Sequence, residues 1–357
     1  MQFTIPFALA ALSHMAAARP CAAHSSSAVE SSSAASAASA SSTSSATQAA
    51  ATNANKASSA ATSTTTDGPV GYASLNGGTS GGQGGTTTTV SELPAFTEAI
   101  KADEPMVVYV SGTISGSEQI HVAGDKSILG LDSDSGIEGV GLYIKDVSNV
   151  IVRNLKLSKV KADAGDAIGI QASTNVWIDH NDFSSDLDHG KDYYDGLCDV
   201  THAADYVTIS NNYFHDHYKA SLVGHSDDNG DEDKGYLHVT YANNYWSNIN
   251  SRQPSVRFGT AHIYNSYYDG VETGVNTRMG AQVLVESTVF TNLDDAIESV
   301  DSDEDGYATT NDVDLGEGKN TAPEGDMTSV PYEYSLLGSE NVKSAVTSSA
   351  GNTLTLG

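Results

Sequence analysis

An all-β solenoid, a parallel β-helix closed at its N-terminal end by a short helix, is the fold this sequence predicts, on three observations. The first is a repeated segment. NVIVRNLKL (149–157), NVWIDHNDF (175–183), YVTISNNYF (206–214), LHVTYANNYW (237–246), HIYNSYY (262–268) and VLVESTVF (283–290) each run alternating β-prone residues into a polar corner and a second apolar stretch. The second is the corner itself. Asn181, Asn212, Asn244, Ser266 and Thr288 recur at spacings of 31, 32, 22 and 22, a base period near 22 with insertions, as stacked coils require. The third is that Asn-Gly hairpin signals between alternating runs are scarce, which disfavours the competing β-sandwich.

The elements follow in chain order. Residues 1–18 are expected to be a signal peptide, from the apolar run Phe3 to Leu12 and the small residues Ala16, Ala17 and Ala18 ahead of Arg19. Residues 19–67 are expected to be a low-complexity linker. From Ser25 to Thr66, 36 of 42 residues are Ser, Ala or Thr, too little apolar area to offset the entropy of ordering. Residues 68–357 are left for one sizeable core. Within them SELPAFTEAIKADEP (91–105) predicts the capping helix, with Ser91 as its N-cap and Pro105 as its end. No run of apolar residues is long enough to span a bilayer.

Of the two cysteines, Cys21 lies near the predicted cleavage point and Cys198 in the core region, so no disulfide is expected. The net charge of -28 argues against nucleic acid and anionic membranes as partners. It also argues against a polyanionic sugar unless charge inverts locally. Between Gly235 and Gly318 the only Lys or Arg side chains are Arg252, Arg257 and Arg278, and a divalent cation would add to such an inversion.

The chemistry concentrates in that region. If DGLCD (195–199) is a strand, Asp195 and Asp199 share one face while Cys198 and Val200 share the other. Asp166 in GDAIGIQ, one coil earlier, then stacks beside them, and three carboxylates without histidine suit calcium. A solvated acidic face among 45 acidic residues is the plainer alternative. Lys219 stands alone in NYFHDHYKASLVGHSD and by itself reads as a surface lysine. Arg252 and Arg257 frame Pro254, where a strand starts or bends; their forks match carboxylates, either a ligand's or the protein's own. DSDEDGYATTND (301–312) satisfies an EF-hand loop pattern apart from Asp312 in the last place. Its flanks do not read as paired helices, so it is expected to be an exposed acidic loop, as is DDNGDED at 227–233.

Taken in order, GYASLNGGTSGGQGG (71–85), GDAIGIQ and WIDHNDF (165–183), DGLCD, Lys219 with LVGHSD, RQPSVRFG (252–259) and GVNTR (274–278) resemble the extracellular pectate lyases of polysaccharide lyase family 1. The resemblance runs from about Val70 to the C-terminus. It implies a right-handed, single-stranded parallel β-helix and a secreted, monomeric enzyme that cleaves polygalacturonate by calcium-dependent β-elimination. Carried over by position, Asp166, Asp195 and Asp199 are the calcium ligands. Arg252 removes the C5 proton, with Lys219 beside it, and Lys219, Arg257 and Arg278 bind substrate carboxylates. Asp179 and His180 of WIDH are placed as structural residues near the cleft. One departure is Ala164, where some relatives carry a further Asp.

Arginine is an unusual base, because a free guanidinium holds its proton to about pH 12 or beyond. Two alternatives stand beside the lyase reading. A pectin lyase acting on methyl-esterified substrate would not need the three Asp. A non-catalytic β-helix adhesin or sugar-binding protein would explain the repeat but not Lys219, Arg252 and the carboxylates together.

Overall fold

The computed structural model describes residues 68–356; the predicted signal peptide and linker lie outside the described residues. The chain winds as a right-handed parallel β-helix. Every ladder between its named strands is parallel, as in the pairing of Ile168–Gln171 with Cys198–Thr201, or of Thr174–Asp179 with Asp205–Ser210. A coil carries three strands. In one, Cys198–Thr201 leads to Asp205–Ser210 and Tyr213–Lys219; in the next, Leu222–Val223 leads to His238–Ala242 and Tyr245–Ser251. The first strands of successive coils form a nine-stranded sheet, and the second and third strands join in a seventeen-stranded one.

The repeated segments fold as strand, corner, strand, and the corner explains their composition. His180, Asn211, Asn243, Asn265 and Ser287 all have left-handed backbone, with φ between 44° and 56°, a conformation Asn tolerates better than most residues. The residue after each turns inward and forms a ladder. Asn212 Oδ1 accepts from the Asn181 backbone N–H at 2.8 Å and Asn244 Oδ1 from that of Asn212 at 2.9 Å. The Asn212 amide donates to the Ile178 carbonyl at 3.0 Å. VLVESTVF differs: despite its left-handed Ser287 it lies in one unbroken strand, Gln282–Thr291.

All three ladder asparagines are fully buried, so Asn212→Ala would leave the Asn181 N–H and the Ile178 carbonyl unpaired. We expect a loss of about 2–4 kcal/mol in denaturant unfolding, since each orphaned buried group costs roughly 1–3 kcal/mol. A loss below about 1 kcal/mol would show that the ladder is not a stabilising unit.

Inside the coils Phe183, Phe214, Trp246, Tyr268 and Phe290 stack in a column, with ring centroids 4.2–5.8 Å apart. The open end is covered by the helix Leu93–Lys101, which buries Phe96, Ala99 and Ile100. It is shorter than expected. Glu92, not Ser91, is the N-cap, without a side-chain capping bond, and the helix ends at Lys101 rather than at Pro105. Pro94, in the first turn, sits where its missing N–H costs nothing. Among the described residues no helix is long and apolar enough to cross a membrane.

Candidate active site

The insertions that stretch the period from 22 to 31 and 32 carry the chemistry. One is the segment between the strands Asp182–Ser184 and Cys198–Thr201; the other separates Leu222–Val223 from His238–Ala242. Both border the nine-stranded sheet, where Gly169 lies opposite Asp199, Leu222 opposite Ser255, and Arg257 opposite Arg278.

Asp166 precedes its strand and Asp199 lies within the next. Their carboxylates converge on Gly196: a Cβ there would meet Asp199 Oδ1 at 2.5 Å and Asp166 Oδ1 at 2.8 Å. Only a residue without a side chain leaves that space open. Asp166 Oδ1 accepts from the Gly196 N–H at 2.9 Å, and Asp199 Oδ1 from the Leu222 N–H at 2.9 Å. Burial and the charge of Asp195 push Asp166 up to about 6, while burial and the charge of Asp166 hold Asp199 well above the ordinary carboxylate range. Two buried carboxylates that repel across an open cradle are a donor set a hard cation would relieve.

Asp195 departs from the strand expectation. The strand begins at Cys198, so Asp195 lies in the turn ahead of it, 43% exposed, and takes Lys219 Nζ at 3.2 Å. Its charge still raises both Asp166 and Asp199. Among the described residues no three Asp, Glu, His or Cys side chains form a ready-made metal site; a third carboxylate joins the pair only if Asp195 turns from Lys219. Where some relatives carry a further Asp, Ala164 is buried, and its neighbour Asp163 is exposed.

Lys219 ends its strand with its ammonium between Asp195 and Asp192, the latter at 3.1 Å. Asp192 is missing from the sequence reading, because a loop aspartate with no period gives no signal. His217, two residues before Lys219, donates from Nε2 to the Asp195 carbonyl at 2.7 Å. Burial pushes this imidazole down to about 4, so it is neutral near pH 7 and Nδ1 accepts from the Ser185 hydroxyl. Neutral His217 thus ties the inserted loop to the strand that bears Lys219.

Arg252 has left-handed backbone, φ 66°, and the strand begins at Ser255, just past Pro254. Its carbonyl, not its side chain, makes the structural bond, accepting from the Ser221 N–H at 2.8 Å. Among the described residues its guanidinium has no carboxylate within ion-pair distance, yet its charge acts on Asp166, Asp199 and Asp192. Arg257 donates from Nε to Asp227 and from Nη1 to the Gly224 carbonyl at 3.0 Å.

Arg278 is 9% exposed and bound on three sides. Nε donates to Ser302 Oγ at 2.8 Å, Nη1 to Ser255 Oγ at 3.0 Å and Nη2 to the Asp301 carbonyl at 2.6 Å. Burial and the nearby charge of Arg257 push it down to about 10. The acidic segment 301–305 runs straight into the strand Tyr307–Asp314, not between paired helices, so the EF-hand pattern there has no EF-hand fold.

Two sequence readings change. Asp179 and His180 belong to the seventeen-stranded sheet, away from the carboxylate pair. Asp179 binds Arg153 at 2.7 Å, His180 at 2.7 Å, Ser210 at 2.7 Å and Asn211 at 2.8 Å, all internal to that wall. The run 227–233 is also not uniformly exposed: Asp233 is fully buried, and Asp227 is committed to Arg257.

The chain is similar to known proteins in sequence and in fold. A family model described as Pectate lyase matches residues 33–354. The chain is 62% identical over 289 residues to a probable pectate lyase A of Aspergillus fumigatus, covering 81% of this chain and 89% of that protein. It is 59% identical over 290 residues to pectate lyase A of Aspergillus niger, with the same coverage of each chain. The crystal structure of a pectate lyase from Bacillus sp. N165 in complex with trigalacturonate superposes with a TM-score of 0.74 at 31% identity. The match covers 80% of this chain and 98% of that one. The chain described here belongs to the pectate lyase family of polysaccharide lyases.

Proposed function

We propose that this pectate lyase is a secreted, calcium-dependent enzyme that cleaves α-1,4-linked polygalacturonate by β-elimination, leaving unsaturated oligogalacturonates. The observation that carries the reading is the convergence of Asp166 and Asp199 on the space above Gly196, beside a cluster of cationic side chains in a chain of net charge -28. Calcium is held by Asp166 and Asp199, with Asp195 as the third ligand. When bound, it would neutralise protein and substrate carboxylates and stabilise the charge that develops as a proton leaves the carbon beside the carboxylate.

The remaining steps belong to the chain's own residues. Arg252, which has no carboxylate partner among the described residues, takes the C5 proton in its neutral form and becomes the guanidinium. Lys219, at the end of its strand, meets the carboxylate of the reacting sugar. Arg257 offers its remaining donors to a neighbouring sugar carboxylate. The electron pair of the broken C5–H bond becomes the C4–C5 double bond, and the C4–O bond breaks without hydrolytic water; solvent protonates the departing oxygen.

The test is absorbance. With polygalacturonate and calcium, a rise in ultraviolet absorbance from the conjugated product is expected, and chelator should abolish it. No rise with calcium would sink the lyase reading. Chelator-insensitive activity on methyl-esterified pectin would favour the pectin lyase alternative.

A further inference from the structure

We propose that Asp227 is a positioning residue that aims Arg257 into the cleft and, through Ser302, joins it to Arg278 and the 301–305 segment as one wall. The inference rests on the proposed role of Arg257 as a binder of substrate carboxylate. Asp227 comes from the inserted segment after Leu222–Val223, whereas Ser302 comes from a segment 75 residues further on.

The hydrogen bonds have only one consistent direction. Arg278 Nε can only donate, so Ser302 Oγ accepts from it at 2.8 Å. The single Ser302 hydroxyl proton then goes to Asp227 Oδ1 at 2.9 Å. The same oxygen receives Arg257 Nε, while Oδ2 takes the Asp303 N–H at 3.4 Å. Arg278 Nη2 approaches Asp227 Oδ1 only to 3.9 Å, so the serine is the direct link. Burial pushes the Asp227 carboxyl up, but the hydrogen bonds from Arg257 and Ser302 outweigh it and hold it below the ordinary carboxylate range.

The two arginines therefore do different work. Every nitrogen of Arg278 already has a protein acceptor: Ser302, Ser255 or the Asp301 carbonyl. Three of its five N–H donors are so used, which fixes it in the wall, and one N–H remains on each of Nη1 and Nη2. Arg257 has protein acceptors for Nε and Nη1, while among the described residues Nη2 has none. A guanidinium pinned along one edge presents the other in fixed orientation, and a charged hydrogen bond is what holds so long a side chain still. A lone carboxylate beside a cleft for a polyanion would oppose binding; here its charge is directed onto Arg257.

Steady-state kinetics on polygalacturonate with calcium test this. Asp227→Ala should raise KM about tenfold while kcat changes less than about threefold, because the lost interaction binds ground and transition states alike. In an Arg257→Ala background the same change should add less than about twofold, since one residue acts through the other. Asp227→Asn, which keeps the acceptor for Ser302 but not the charge, should fall between. Ser302→Ala, which leaves the Arg257 contact in place, should raise KM about twofold; it tests the relay should Asp227→Ala fail to fold. An unchanged KM in Asp227→Ala, or an effect equally large in the Arg257→Ala background, overturns the proposal. Absence of unsaturated product from the unsubstituted protein would instead overturn the reading of the activity.

Discussion

Arg252→Ala is expected to lower kcat by roughly 10²–10⁴-fold, the contribution typical of a positioned proton acceptor and equal to about 3–5 kcal/mol of barrier. The fold should survive. The structural bond at this position is made by the Arg252 carbonyl, which accepts from the Ser221 N–H, and no ion pair is broken among the described residues. The measurement is the ultraviolet rate of product formation at saturating polygalacturonate, with thermal unfolding as the control. Turnover within tenfold of the unsubstituted enzyme, on a protein of unchanged stability, would remove Arg252 from the proton-transfer step. A guanidinium must give up a proton before it can take one, so the rate of the unsubstituted enzyme should rise towards alkaline pH. A profile peaking near pH 5 would point to a carboxylate base.

The fold was legible because a coil of this solenoid writes its geometry into two residues. The corner needs left-handed backbone and, immediately after it, a side chain that satisfies buried backbone groups of the next coil. The pairs Asn211-Asn212 and Asn243-Asn244 answer both demands, and the β-prone runs before them form strands buried along nearly their whole length, as in Asp205–Ser210 and His238–Ala242. The helix boundaries were less legible because Ser91 and Pro105 are only local signals. Packing of Phe96 and Ile100 against the first coils decides where that helix begins and ends.

The site was legible only where it lies on the ladder. The parallel register sets Ile168 opposite Cys198 and Gly169 opposite Asp199, so stacking alone brings Asp166 near the next coil's acidic residues. Asp195 was misread because DGLCD is not one strand: the strand begins only at Cys198, and Asp195, ahead of it, accepts from Lys219. Asp192 was missed, and Asp227 was read only as part of an exposed acidic loop. Both lie in insertions, where no period constrains a side chain, and their partners lie 27 and 30 residues away. Arg278 shows a further limit: its position can be read from sequence, but not that Ser255, Ser302 and the Asp301 carbonyl occupy three of its five donors.

The carboxylate pair makes the second large prediction, one of stability. In the metal-free protein Asp166 is raised from 3.8 to about 6 by burial and the charge of Asp195, and Asp199 is held well above the ordinary carboxylate range by burial and the charge of Asp166. Both groups hold protons more tightly folded than unfolded. Their contribution to stability is therefore full below the unfolded pKa near 4; that of Asp166 is lost as pH rises through about 6, and that of Asp199 is lost above the ordinary carboxylate range. For Asp166 alone the loss is on the order of 2–3 kcal/mol. Calcium inverts the balance, since it binds the ionised pair in the folded state only and adds about 2.7 kcal/mol at a hundredfold excess over its dissociation constant. The net charge of -28 also weakens the fold as pH rises, so the comparison must be with Asp199→Asn. That amide keeps an acceptor for the Leu222 N–H and removes the repulsion. In chelator at pH 8, Asp199→Asn should melt at higher temperature than the unsubstituted protein, with the difference fading towards pH 4. With calcium the order should reverse, and Asp199→Asn should lose at least about a hundredfold in kcat/KM. Parallel melting curves for the two proteins across pH in chelator, or equal stabilisation of both by calcium, would show that the carboxylates over Gly196 are not the cation site.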